Sequence, residues 1–470
     1  MGFHLGKPIL VMCVLGALAG VIGFSIIDDS RRADIEMWTF TESHWRTFTG
    51  SGAPATRPLP KRDFERETGK SVSIKLVNAR ALNTRLSMQF MGDIKGDEVP
   101  DLVEVEISNV GRFFRPPVSE VGFLPLNDFI KSHGWEGKIV ESRFAPWSKQ
   151  GVIFGIPHDV HPVMIAYNAE LFEQAGVDLA SSQTWQQFWD NCIAFQTYWR
   201  ERGVTRRWAM EMSESSSDTL VTMLLQRGVN VVDDQDTVRF NDPKVLDTLL
   251  QYVRMIDDGP QRIGASTASG NQAYSQDLAS GFVGAMFCAD WRLKYVKDYA
   301  PTMAGKLKVM SLPAWPDSPF RTSTWGGTMI GIPHNARDPE LSWQFLERLY
   351  LRPDGLRNIM QGSYILPPVK TVWNDAIMEE QDAFYSGQHV RRLIRELAGN
   401  VPPRYVTPAS TIAQAELSMV LIDAIARHRS HGEEGLEVYC KQLLDRAQHA
   451  VAARIAHGNF EGEGERDVER

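Results

Sequence analysis

The sequence predicts an α/β protein of two domains with doubly wound sheet architecture. Three observations carry that expectation. At 470 residues the chain is longer than one hydrophobic core serves. From residue 33 onward, short apolar runs alternate with amphipathic stretches, the order of strands and their covering helices. The composition is globular, 43% hydrophobic and 23% charged. The formal net charge of -8 comes with no basic stripe, which excludes nucleic acid as a partner class. Such an acidic surface keeps a free protein from self-associating, so a monomer is expected.

The elements follow in order. Residues 1–32 form a targeting segment. His4 and Lys7 precede an uncharged run over 8–27, and Asp28, Asp29, Arg31 and Arg32 follow it. The run exceeds the usual h-region of a cleaved signal and approaches membrane-spanning length. Cleavage after Ala17-Leu18-Ala19 would leave an apolar stub, so residues 9–27 read better as a retained anchor. A lipoprotein signal would use Cys13, but Met12 stands where a small residue is needed. Either way the chain is exported.

Residues 35–40 read as the first strand, and a Pro/Gly/Ser-rich loop occupies about 50–60. A helix ending over 64–68 is stopped by Gly69, and 71–77 alternates like a strand. Residues 82–91 are helical, and Pro100-Asp101 leads into 102–107, apolar enough for a buried parallel strand. A second block opens near Gly151, with strands over 152–156 and 163–167. Asn168 caps a helix over 168–175 that Gly176 ends, and Thr184 caps the next, over 185–202. Trp185, Trp189 and Trp199 on that helix, like Tyr167 before it, are core candidates. Pro243 sits in the first turn of a helix over 244–256. A helix at 275–281, strands at 285–287, 307–311 and 328–332, and helices at 339–349 and 354–360 follow. Residues 375–457 read as almost wholly helical, and 459–470 as a disordered charged tail. Cys192, Cys288 and Cys440 fit no zinc or thioredoxin spacing and read as buried thiols.

Several phrases recur in a telling order. They are Met37-Trp38, then Phe64-Glu65-Arg66-Glu67-Thr68-Gly69, then Pro100-Asp101-Leu102-Val103. Gly155-Ile156-Pro157-His158-Asp159 is followed by Ile165-Ala166-Tyr167-Asn168-Ala169-Glu170-Leu171-Phe172. Gly281 to Met286 runs on to Trp291, Trp325-Gly326-Gly327 precedes Ile330-Gly331-Ile332-Pro333, and Leu366-Pro367-Pro368-Val369-Lys370 closes the series. Over residues 35–370 the sequence resembles the extracellular solute-binding proteins of ABC importers, family 1, which includes maltose-binding protein.

That resemblance implies the two-lobed periplasmic-binding-protein fold of type II, each lobe a doubly wound sheet flanked by helices, with the chain crossing between lobes three times. Crossings are expected near 145–151, 314–320 and 363–369. Lobe 1 then comprises 33–147 plus 319–364, and lobe 2 comprises 148–315 plus 366–458. The resemblance also implies an extracytoplasmic protein that closes on a small solute, foremost a mono- or oligosaccharide, and delivers it to the permease subunits of an importer. It implies no cofactor.

Ligands of doubly wound sheets sit beyond the carboxyl ends of strands, in a concave site with apolar walls and a few placed polar groups. Trp38 ends the first strand and offers an indole face to a sugar ring. Glu106 and Ser108 follow the apolar run 102–105 and supply hydroxyl partners. His158 and Asp159, with His161, form a His-Asp-x-His cluster that lacks the further ligands a metal needs, so hydrogen bonding in the cleft or a hinge role is expected. Trp291 and Arg292 follow the 285–287 strand; the resemblance places an aromatic there against the solute. Trp325 lines the cleft in this reading, and Gly326 and Gly327 allow close backbone approach. Tyr364 precedes the last crossing. No G-x-S-x-G, P-loop, H-E-x-x-H or G-x-G-x-x-G motif is present, so catalysis is not expected. The alternatives are a glycoside-processing enzyme using Glu106 with Asp159 or Asp290, and a membrane-tethered ligand sensor.

Overall fold

The computed structural model describes residues 32–51, 59–92, 99–257, 259–267 and 270–458. The expected signal or anchor and the expected disordered tail lie outside the described residues. Among the described residues, no helix is long and apolar enough to cross a membrane.

Strands β1 (Ile35–Thr39), β2 (Val72–Leu76) and β3 (Leu102–Glu106) are parallel, with Met37 opposite both Ile74 and Leu102. A small hairpin, β4 (Ser148–Lys149) and β5 (Val152–Ile153), precedes β6 (Ile156–Pro157). The second unit holds β7 (Val163–Asn168), β8 (Trp208–Glu211), β9 (Gly264–Ala265), β10 (Val283–Ala289) and β11 (Leu307–Ser311). The chain then returns as β12 (Thr328–Gly331). Two five-stranded sheets result, in the orders β2-β1-β3-β12-β6 and β11-β7-β10-β8-β9. Strand β12 runs antiparallel to both neighbours, and β7 to both of its own.

Local chemistry sets the element boundaries. Thr184 and Gln187 form a reciprocal capping box on the helix Trp185–Glu201. The Asn168 side chain accepts from the Leu171 N–H to start Ala169–Gln174. Gly69, at φ 69, ends Pro60–Thr68 in the left-handed region that glycine reaches without a Cβ penalty. Trp185, Trp189 and Tyr167 are buried in the second unit's core, with Trp199 packed at its margin. Cys192, Cys288 and Cys440 are free and buried.

Three expectations change. The first crossing lies over residues 158–162, after the expected 145–151. Ile156 and Pro157 pair with Ile330 and Met329 and so remain in the first sheet, while the β4–β5 hairpin is held there by the Leu126 N–H to Ile153 C=O bond. The 152–156 strand divides into β5 and β6, in different sheets. The C-terminal part is not almost wholly helical. Val390–Ala398, Ser410–His431 and Leu436–Ala456 are helices, but residues 401–407 have no regular secondary structure, because Pro402 and Pro403 lack N–H donors and restrict the residues before them. The chain changes sheet again between β11 and β12, over 312–327, and residues 363–369 lead from the helix Pro353–Gly362 towards the C-terminal helices.

Candidate functional site

The three crossings meet around a buried ionic cluster. Arg143 donates to Asp159 Oδ1 at 3.0 Å, to the Asp159 carbonyl at 3.0 Å and to Thr324 Oγ1 at 2.9 Å. Asp159 Oδ2 accepts from the Thr328 N–H at 3.0 Å and faces His161 Nε2 at 3.1 Å. The other nitrogen of His161 lies 2.5 Å from Asp290 Oδ1, and Asp290 Oδ2 accepts from the Leu366 N–H at 3.0 Å. One chain of contacts thus ties the first, second and third crossings together. Burial disfavours the charge on His161, but Asp159 and Asp290 outweigh it and push the imidazole up to about 9. Burial likewise opposes ionisation of Asp159, yet His161, His158 and Arg143 hold it well below the usual carboxylate range. Asp159 thus spends its side chain on Arg143, Thr328 and His161 between the crossings and lines none of the cavities below, which departs from its place among the ligand candidates. No group of three or more potential metal ligands occurs among the described residues.

Beyond the carboxyl ends of β8, β9 and β10 lies a cavity of about 290 Å³. Trp291, Trp325 and Tyr274 supply its aromatic surface; Glu211, Asp218, Asn271 and Arg292 supply polar groups. Trp291 starts the helix Asp290–Tyr299 directly after β10, which aims its ring out of the sheet edge. Its indole N–H donates to the Trp325 carbonyl at 3.0 Å, and the two rings meet edge to face with centroids 6.0 Å apart. Arg292 is nearly fully buried. It donates to both Glu211 oxygens at 2.9 and 3.0 Å and lies over the Tyr274 ring. The guanidinium thus holds Glu211 and Tyr274 in place beneath the cavity.

Gly326 and Gly327 adopt φ 87 and 147. A Cβ on Gly326 would come within 3.3 Å of the Trp291 indole nitrogen, and one on Gly327 within 3.0 Å of the Arg143 guanidinium. The close approach expected of these glycines is to Trp291 and the hinge cluster.

A second cavity of about 300 Å³ has Ile107 and Ser108 on one side and residues of 221–232 and 404–418 on the other. Glu106 accepts from Ser108 Oγ at 2.6 Å and Asn109 Nδ2 at 3.3 Å at its edge. A third, of about 270 Å³, lies between the helix Glu42–Thr49 and the helix Asp290–Tyr299, with Trp291 and His158 in its wall. His158 is buried with its ring 4.1 Å from that of His44; among the described residues neither of its nitrogens is within hydrogen-bond distance of a partner, and Nδ1 faces Asp159 Oδ2 at 3.6 Å. Burial and the neighbouring His44 hold its pKa down.

Six candidates line none of the three cavities: Glu106, Asp159, Gly326 and Gly327, placed above, and Trp38 and Tyr364. Trp38 is 3% exposed, its N–H donates to Glu36 at 2.8 Å, and it packs with Leu82, Leu86 and Val103. It is a core residue because its side of β1 is covered by the helix Ala79–Phe90. Tyr364 is buried against Tyr385, and its hydroxyl is bonded to Asp382. Sequence reasoning missed Glu211, Asp218, Tyr274 and Arg404. Glu211 directly ends a strand and was open to the same argument as Glu106. Arg404 was hidden by reading 375–457 as helix.

The family model for bacterial extracellular solute-binding proteins matches residues 61–384. An arabinooligosaccharide-binding protein of Halalkalibacterium halodurans is 23% identical over 441 residues, covering 92% of each chain. The arabinooligosaccharide-binding protein of Bacillus subtilis is 22% identical over 447 residues, covering 93% of this chain and 96% of that one. Among solved structures, the sugar-binding protein MalE from Xanthomonas citri superposes with a TM-score of 0.70 at 16% identity, over 91% of this chain and all of that one. The GacH receptor of Streptomyces glaucescens gives 0.65 at 15%, over 88% and 98%. At these identities the structural likeness is one of fold, two lobes joined by a hinge.

Proposed function

The chain belongs to the bacterial extracellular solute-binding proteins, and on that premise we propose that it captures an oligosaccharide between its lobes for an ABC importer. The observation that carries the carbohydrate reading is the cavity walled by Trp291, Trp325 and Tyr274 with Glu211, Asp218 and Asn271 beside them. Aromatic faces stack on the C–H faces of sugar rings, and carboxylates and amides take up the hydroxyls. The names of the two arabinooligosaccharide-binding relatives support the same class.

In this proposal the protein acts as a monomer outside the cytoplasmic membrane, held there by residues 9–27, and its closed form docks on permease subunits. It turns nothing over. Asp159 and Asp290 are committed to His161 and fully buried, so neither is free to flank a glycosidic bond opposite Glu106. A thermal-shift screen against arabino-, xylo- and malto-oligosaccharides tests the reading. A ligand that binds only the native state raises the midpoint with the logarithm of its concentration over Kd. One class should shift it by several degrees without appearance of shorter products; no shift with any sugar, or product formation by the repurified protein, refutes the proposal.

A further inference from the structure

Arg404 stands apart from the other arginines of the cleft. Its guanidinium lines the second cavity, half-buried, and makes no hydrogen bond or ion pair among the described residues. The backbone on both sides of it is clamped by one residue: Asn230 Oδ1 accepts from the Tyr405 N–H at 3.0 Å, and Asn230 Nδ2 donates to the Pro403 carbonyl at 3.2 Å. With Pro402 and Pro403 before it, the side chain is presented from a backbone segment of restricted freedom. Two carboxylates lie in its field, Asp218 and Glu106, but each is engaged elsewhere. Asp218 accepts from Gln414 Nε2 at 2.6 Å, and Glu106 from Ser108 and Asn109. Burial, helped by the like charge of Arg143, lowers the pKa of Arg404 despite both carboxylates, so its charge is under-compensated where it stands.

The Asp218–Gln414 pair also fixes where this cavity lies. Asp218 lines the aromatic cavity and Gln414 lines the one holding Arg404. Their hydrogen bond is the wall between two adjoining compartments. A solute seated on Trp291 and Trp325 need only pass that pair to reach the guanidinium.

We propose that the solute extends past the Asp218–Gln414 pair and sets a carboxylate, borne by an acidic sugar unit, on the Arg404 guanidinium. The inference rests on the carbohydrate reading above and adds the chemical class of one unit. A partly desolvated, unpaired cation is costly unless an opposite charge meets it. Neutral hydroxyls would accept its N–H bonds and leave the charge in place, whereas a carboxylate matches the planar fork and neutralises it.

The test is calorimetric titration of the full chain with matched pairs. These are neutral arabino- and xylo-oligosaccharides, and the same backbones carrying one uronate. The acidic member should bind about tenfold tighter or more, as a charge-assisted hydrogen-bonded pair commands. That preference should collapse towards unity in Arg404→Gln, persist in part in Arg404→Lys, and shrink as salt is raised. Glu106→Gln leaves Arg404 in place and removes a like charge facing the carboxylate, so the preference should rise. Thermal unfolding checks that each variant is folded. Equal affinity for acidic and neutral members in the wild type, a preference that survives Arg404→Gln, or one that falls in Glu106→Gln overturns the proposal and leaves the carbohydrate reading standing. Failure of every sugar, neutral and acidic, overturns both.

Discussion

At the level of single side chains, Trp291 combines two properties that a recognition residue needs. Its ring is half-exposed in two cavity walls, and its N–H is fixed on the Trp325 carbonyl, so little rotamer freedom remains to be lost on binding. Trp291→Ala should weaken solute binding about thirtyfold, corresponding to about 2 kcal/mol for a central aromatic anchor. The unfolding midpoint should stay near that of the wild type, because the ring sits at the margin of the core. Calorimetry checks the first and thermal denaturation the second; unchanged affinity removes Trp291 from the site. Trp291 was legible in the sequence because it follows an apolar run at a strand end. Trp38 met the same criterion and is core. What separates them is the helix Ala79–Phe90 packed over one and open space over the other, and neither is written in the residues adjoining them.

At the level of elements, the first crossing is held by charge. His161 adopts φ 52, a left-handed conformation that costs a non-glycine residue about 1 kcal/mol or more. Its two carboxylate partners stabilise it there. The folded-state pKa of His161 is raised to about 9, above the ordinary 6.5. Its contribution to stability is therefore full below pH 6.5 and is lost as pH rises through about 9. Asp159 is shifted the other way, so its contribution is full above the ordinary 3.8 and is lost only as pH falls towards its lowered value. Urea midpoints measured from pH 6 to 10 should decline on the alkaline side in the wild type. In His161→Gln they should be lower at pH 6 and flatter above it. A variant with the wild-type slope would show that His161 does not carry the effect. The sequence marked His158, Asp159 and His161 as a cluster and left open a hinge role. It did not reveal Arg143 and Asp290 as their partners, since these lie 16 and 129 residues away in the chain.

At the level of the whole molecule, two sheets joined by three crossings allow one rigid-body motion, rotation about residues 158–162, 312–327 and 363–369. A solute that touches both walls favours the closed arrangement by its difference in affinity for the two states. Saturating solute should therefore reduce the radius of gyration in small-angle scattering. Tight binding with an unchanged profile would refute closure. The sequence by itself determined the α/β class, the strand-and-helix order and the family, because these follow from local periodicity, caps and ordered phrases. It also singled out Trp291, Trp325 and the paired glycines. Only the tertiary structure decided where the chain first crosses, which face of each strand is covered, and that Arg404 stands in the field of Glu106 and Asp218 without pairing with either. These depend on contacts between segments far apart in the chain, and the free energy of such contacts belongs to the packed pair and to neither segment alone.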